Sequence, residues 1–275
     1  MLKFHARTDV GLKRKHNEDS LLAAEEFGVF VVADGVGGRK AGELASAITV
    51  NTFQSYAPQL KAAVDAFAND ANRDSRNQVL QLLDQAANAA SRRVYEAATA
   101  TGRQGMTTTL VAAVIGGGAA FVVHVGDSRA YLVRDGAVRR LTTDHSVAAE
   151  RVRSGRLSAA EAVSSPLRFR VARTVGGTHE LDVDLAEVAL SSGDQLLLCT
   201  DGLHSSVSDD LIHRALARDD DPEAGVRRLL AVTHDADDRS AVLAQVETDA
   251  EQAVLAEIAA VMAETFLFRD LDEQQ

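Results

Sequence analysis

The chain has a single cysteine, Cys199, so no disulfide can form within it and a reducing cytoplasm is the expected setting. Cys199 closes the apolar run Leu196-Leu197-Leu198-Cys199 and reads as a small core residue. No apolar run approaches the roughly 18 residues that a membrane span requires, and residues 1–10 lack the basic-then-apolar pattern of a signal peptide. Basic residues are outnumbered, 29 against 40 acidic, for a formal net charge of −11. That balance works against non-specific binding of nucleic acid or anionic membrane and suits a chain that gathers divalent cations. Nucleotide loops are missing too. Lys40 follows Arg39 and precedes Ala41 instead of closing a Walker loop, and no G-x-G-x-x-G registers on Gly35 or Gly37. The eight histidines show no ligand spacing and read as surface or hydrogen-bonded core.

What is present is an ordinary globular composition, 46% hydrophobic over 275 residues, enough for a sizeable core. The central signal is Phe30-Val31-Val32-Ala33-Asp34-Gly35-Val36-Gly37-Gly38, a buried-strand pattern that delivers a carboxylate to a glycine-rich turn. Glycine lets backbone approach a ligand closely, and an acid at a rigid strand end can set both oxygens against a cation. Taken alone, such a turn is ordinary; its weight depends on other acids converging on it.

Along the chain, residues 2–8 read as a first strand, running into a loop with Arg14 and the acidic pair Glu18-Asp19. Residues 21–24 and 29–33 form a short hairpin about Glu25-Glu26-Phe27-Gly28, and residues 41–56 read as helix. Val79, Leu82, Leu83, Ala86, Ala87, Ala90 and Val94 recur at three- and four-residue spacing on one face of a long helix, and residues 69–77 before it read as a loop. Strands follow at 108–115, 119–125 and 130–134, with Gly116-Gly117-Gly118 and Asp135-Gly136 as hairpin turns. Regular strand pattern disappears over 142–177, a long connection of the functional kind. Strands at 185–190 and 194–199, helices at 209–217 and 222–232, and a last strand at 240–246 complete the reading.

Acids thus stand at strand ends or breaks: Asp34, Asp127 in Gly126-Asp127-Ser128-Arg129, Asp201 in Thr200-Asp201-Gly202, and Asp237 before the last strand. Together with Glu18-Asp19 they suggest one carboxylate-lined pocket at a common edge of packed sheets, an oxygen-only donor set for hard cations such as magnesium or manganese.

The ordered set Arg14-x-x-Asn17-Glu18-Asp19, Ala33-Asp34-Gly35-x-Gly37-Gly38, Gly126-Asp127-Ser128-Arg129, Thr200-Asp201-Gly202 and the Asp237 loop resembles the metal-dependent (PPM, type 2C) serine/threonine protein phosphatases in their compact bacterial form. The resemblance covers residues 4–247. It implies an α+β fold: a four-layer α/β/β/α sandwich of two antiparallel sheets flanked by helices, with the metal site at one end. It also implies roles: Asp34 bridging two Mn²⁺ or Mg²⁺ ions, Asp201 and Asp237 completing the first, the Gly35 carbonyl on the second, Glu18 and Asp19 holding metal waters, and Asp127 with Asp201 forming a third site. A water between the bridged ions would attack phosphorus in line, with Arg14 orienting the phosphate. Residues 142–177, with Asp144-His145-Ser146 and Ser165-Pro166-x-Arg168, match the family's flap, a substrate-selecting element. The implied partners are phosphorylated proteins, among them a serine/threonine kinase and its substrates, with the chain acting as a monomer.

Three positions depart from the family pattern. Val36 stands where eukaryotic relatives often carry histidine, so the leaving group must be protonated from elsewhere. Met106-Thr107-Thr108-Thr109 replaces Met-Gly-Thr-Thr, a change expected at a strand start and not in the chemistry. Asp235-Ala236-Asp237-Asp238-Arg239 replaces Gly-x-x-Asp-Asn; Asp237 leaves the final strand in register, with Asp235 and Asp238 as alternatives. The expected domain is 1–247. Residues 248–275 read as a helical extension whose Phe266-Leu267-Phe268-Arg269-Asp270-Leu271-Asp272 resembles the start of a cyclic-nucleotide-binding domain, so a further regulatory domain is expected beyond it. The functional expectation is a phosphoserine/phosphothreonine phosphatase. The rivals are a catalytically silent phosphoprotein-binding pseudophosphatase or scaffold, and a small-molecule phosphohydrolase using the same metals.

Overall fold

A computed structural model describes residues 2–11, 14–36, 41–216, 221–233 and 238–246. Its strands are β1 Leu2–Asp9, β2 Asp19–Ala24, β3 Val29–Val36, β4 Thr107–Thr108, β5 Leu110–Gly116, β6 Ala119–Val125, β7 Arg129–Arg134, β8 Ala137–Arg140, β9 Asp184–Ala189, β10 Gln195–Cys199 and β11 Arg239–Val246. Its helices are α1 Gly42–Asn69, α2 Arg73–Ala100, α3 Val147–Arg153, α4 Ala159–Ser164, α5 Asp201–His204, α6 Asp209–Leu216 and α7 Pro222–Val232. One sheet has the order β1-β11-β10-β7-β8 and the other β2-β3-β5-β6-β9, with β4 paired to β3; every pairing is antiparallel.

The two-residue period of a strand explains why the sheets stack in the middle and carry helices outside. In β3, Val29, Val31 and Ala33 pack into the helix-facing core, while Phe30 and Val32 turn to the inter-sheet core. β5 divides the same way, Leu110, Ala112 and Val114 against Val111 and Ala113. In the other sheet, Leu196 and Leu198 of β10 meet the inter-sheet core, and Leu197 and Cys199 face the layer built by Ile212 of α6 and Val226 and Leu229 of α7. Strands buried on both faces read as continuous apolar runs, which is what β3 and β10 are. The α/β/β/α order follows, and the fold is the α+β sandwich expected from the resemblance.

Several boundaries differ from the sequence reading. Residues 69–77 are not a loop: α1 ends at Asn69, only 70–72 intervene, and α2 begins at Arg73. A capping box draws the polar segment into the helix, Asn72 accepting from the backbone of Asp74 and Ser75 while Ser75 Oγ accepts from Asn72 N. Asp135 and Gly136 both adopt positive φ (49° and 76°), the signature of a tight hairpin, and it returns a strand, β8, that the alternation did not announce. The break at Gly126–Ser128 is a crossing from one sheet to the other, because β6 and β7 belong to different sheets. Gly37 and Gly38, Asp235 and Asp237, and the extension 248–275 lie outside the described residues.

Candidate active site

The antiparallel pairings bring the acid-bearing ends together. Asp19 at the start of β2 pairs with Asp34 near the end of β3, and Cys199, two residues before Asp201, pairs with Ala241 at the start of β11. Arg14, Glu18, Asp34, Gly35, Asp127 and Asp201 line one cavity of about 160 Å³ at this end of the sandwich. Asp34 is not at the strand's end, as the sequence suggested: β3 continues through Gly35 and Val36, which pair with Thr108 and Thr107.

Four of these acids are held by neighbouring backbone, hydroxyl, arginine or histidine groups. Thr109 N and Thr108 Oγ1 donate to the Asp34 carbonyl at 2.8 and 2.7 Å, and Asp34 N donates to Thr109 Oγ1 at 3.0 Å. The Met106–Thr109 segment therefore clamps the backbone that presents Asp34, a role beyond the strand start expected from sequence. Asp19 is buried; its Oδ2 accepts from Thr200 Oγ1 (3.0 Å) and Ser240 Oγ (2.7 Å), while its Oδ1 has no hydrogen-bond partner among the described residues. Glu18 Oε2 accepts from Arg14 at 2.8 Å, and Glu18 N donates to Asp238 Oδ2 at 2.6 Å. Asp238, one of the two alternatives weighed for the last acidic loop, thus holds the backbone of Glu18 from below. The Asp127 carbonyl accepts from His204 Nε2 at 2.8 Å; burial pushes His204 down to about 3, so its ring is neutral and Nε2 carries the proton.

The electrostatics are those of crowded carboxylates. Burial, opposed by the Ser240 and Thr200 hydroxyls and reinforced by Asp238 and Asp201, lifts Asp19 to about 7. Burial and the charges of Asp201 and Asp144 lift Asp127 to about 7. Asp34 rises well above its ordinary value through burial and then the charges of Asp19, Asp201 and Asp127. Like charges this close disfavour joint ionisation unless a cation stands among them.

Close backbone packing holds the acids in register. A Cβ on Gly35 would lie 2.3 Å from the backbone of Gly42 and 2.7 Å from Glu18 O, and one on Gly202 would lie 2.0 Å from Asp238 O. Neither neighbour is a flexible side-chain tip, so Gly35→Ala is expected to cost about 3 kcal/mol of stability, read from the denaturant midpoint. An unchanged midpoint would show that β3 and α1 can separate here.

A second cluster escaped the sequence reading. His124, His145 and Asp184 offer ligand atoms within 4.8 Å of one another, contributed by β6, the flap and β9. The protons argue against a cation there. Gly126 N donates to His145 Nδ1 (3.1 Å), so neutral His145 carries its proton on Nε2, which meets Asp184 Oδ2 at 3.1 Å. Arg173 already supplies a cation, 3.1 Å from Asp184 Oδ1. His145 and Asp184 instead form a latch. His145 N also donates to Gly126 O (2.7 Å), gripping both sides of the glycine whose φ of +106° turns the chain toward Asp127. Only spatial pairing could have found it, since His124 and His145 are far apart in the chain.

The sequence profile described as Protein phosphatase 2C matches residues 13–258 of this chain. The serine/threonine protein phosphatase PstP of Mycobacterium tuberculosis is 36% identical over 217 residues, which cover 78% of this chain and 39% of PstP, so the chain spans well under half of that relative. The serine/threonine phosphatase Stp of Listeria welshimeri is 33% identical over 204 residues, 73% of this chain and 77% of the Listeria protein. Among solved structures, the catalytic domain of PstP in complex with two manganese ions has a TM-score of 0.73 at 32% identity, covering 90% of this chain and 99% of that one.

Proposed function

Because the chain belongs to the protein phosphatase 2C family, we propose that it is a divalent-metal-dependent hydrolase of phosphoserine and phosphothreonine esters in proteins. The observation that supports this most directly is the single cavity lined by Arg14, Glu18, Asp34, Gly35, Asp127 and Asp201. Its donor set is all oxygen, which suits manganese or magnesium. The buried, unpartnered Oδ1 of Asp19 and the mutually repelling carboxylates are what such cations would satisfy. Asp34, Asp201 and Asp237 are the proposed direct ligands, with the Gly35 carbonyl; Glu18 and Asp19 act through water, and Asp127 with Asp201 holds a further ion. When bound, the ions supply Lewis acidity and offset charge on the phosphoryl group.

The remaining work falls to the chain. Glu18 steers the Arg14 guanidinium, whose planar fork matches two phosphate oxygens at once. Thr108 and Thr109 keep Asp34 from shifting as charge moves through the site. Arg14, Asp34 and Asp201 in one cavity support hydrolysis over the silent-scaffold reading. The proposed setting is the cytoplasm, opposite a serine/threonine kinase, with the chain acting as a monomer and residues 248–275 as an extension toward a regulatory domain. Among the described residues no helix is long and apolar enough to cross a membrane.

The test is phosphate release from a phosphothreonine peptide with manganese or magnesium, abolished by EDTA. Arg14→Ala should lower kcat/KM roughly 10- to 100-fold, the worth of a charge-assisted phosphate contact. No release with any divalent cation from a folded protein would sink the proposal.

A further inference from the structure

Beside the acid cluster lies a larger groove of about 510 Å³, walled by α3 and α4 and by the start of β7. Four arginines line it, Arg129, Arg140, Arg153 and Arg168, against one acid, Asp144. On a chain of net charge −11, a concavity with that excess of cations runs against the composition.

The arginines divide into two kinds. Arg129 binds both Asp144 oxygens through Nε and Nη2 (2.9 and 2.7 Å), and Arg140 lies 3.6 Å from the same carboxylate, so Asp144 is already committed. Arg153 and Arg168 are exposed and make no salt bridge among the described residues. Arg168 lies over the Phe169 ring, 4.4 Å from its centroid, and Phe169 is itself 59% exposed. The groove floor is small and apolar, with Ala148, Ala149 and Ala162.

Continuity gives the groove its meaning. A small cavity of about 140 Å³ shares Arg129, Asp144 and Arg168 with the groove, and shares Asp127, Phe169 and Asp201 with the acid-lined cavity. An extended chain whose phosphorylated residue enters the acid-lined cavity would cross Phe169 and set a neighbouring side chain beside Arg153 and Arg168.

Resting on the phosphatase reading, we infer that this groove is a substrate subsite for an anionic side chain, carboxylate or phosphate, near the residue being hydrolysed. The preferred substrates are acid-rich or multiply phosphorylated segments. Two solvent-facing guanidiniums give a modest, salt-sensitive preference of roughly fivefold.

The experiment compares kcat/KM of the full chain on four phosphothreonine peptides, flanked by alanines, by aspartates, by lysines, or by one non-hydrolysable phosphonate analogue of phosphoserine. Both anionic peptides should exceed the alanine peptide about fivefold, chiefly through KM, with the gap closing as salt rises. Aspartate and phosphonate arms show which anion the groove favours. In the double variant Arg153→Ala/Arg168→Ala the ratio should fall to about one. Arg153→Glu should shift preference toward a lysine-flanked peptide. Ratios cancel any loss common to all substrates, and turnover of the alanine peptide reports folding. Equal rates on all peptides in the parent, or a ratio unchanged in the double variant, would overturn the subsite while leaving the phosphatase standing. That is also the pattern if the groove holds another occupant, such as the acidic residues of 248–275. No release from any peptide would overturn both readings.

Discussion

Asp34→Asn should abolish metal-dependent phosphate release, with kcat/KM falling at least about 1,000-fold, without loosening the metal-free fold. The loss of rate follows from its place: Asp34 lines the same cavity as Asp127 and Asp201, and a neutral amide there gives up charge that would hold the ions. The unchanged fold follows from the cost of the native residue. Asp34 is driven toward its protonated form by burial and by the charges of Asp19, Asp201 and Asp127, and asparagine is nearly isosteric with that form. The metal-free melting temperature of the variant should therefore equal or exceed the parent's. A variant that keeps a tenth of the parent's turnover would refute the role, and one that melts well below the parent would refute the account of the repulsion.

The second large effect is a dependence of metal-free stability on pH. Asp19 and Asp127 titrate near 3.8 when unfolded and at about 7 when folded. Between those values the native state binds more protons than the unfolded one, so stability falls as pH rises. The contribution is full below about pH 4 and is lost as pH climbs through about 7. Two carboxylates, coupled through Asp201, amount to a few kcal/mol in order of magnitude, or roughly 5–10 °C of melting temperature. With EDTA present, the protein should melt lower at pH 8 than at pH 5.5. Manganese at pH 8 should recover the difference, because it binds the ionised cluster of the native state. A flat EDTA profile would mean that the carboxylates are not in conflict.

The reach of sequence reasoning varied with the range of the interaction. Phe30 to Asp34 and Leu196 to Asp201 were legible because an apolar run followed by Asp-Gly is a local pattern. Helix α7 was legible from Pro222 to Val232 because proline sets its first turn and periodicity sets its face. The Thr108 and Thr109 clamp was not, since hydroxyls bonding to Asp34 depend on β4 folding back on β3, a pairing no local spacing encodes. Nor could spacing show that Gly126–Ser128 joins two sheets, because a strand break reads alike whether the chain turns back or crosses over. The α1 to α2 junction was misjudged for a different reason: Asn72 and Ser75 look like loop residues until their capping bonds are seen. The His145 latch depends on residues 142–177 folding back so that His145 meets Gly126 and Asp184 of β9, which no local pattern announces.

Strand order within the first sheet carries a consequence for biosynthesis. β11, the last strand of the described chain, sits between β1 and β10 and brings Ser240 to Asp19. Among the described residues β1 has no other strand partner, so it must wait unpaired until some 230 further residues have been made. A growing polypeptide therefore cannot close its first sheet, nor bring Ser240 to Asp19, until β11 has left the ribosome. A chain that stops short of β11 therefore lacks both the strand that joins β1 to β10 and the Ser240 hydroxyl that holds Asp19.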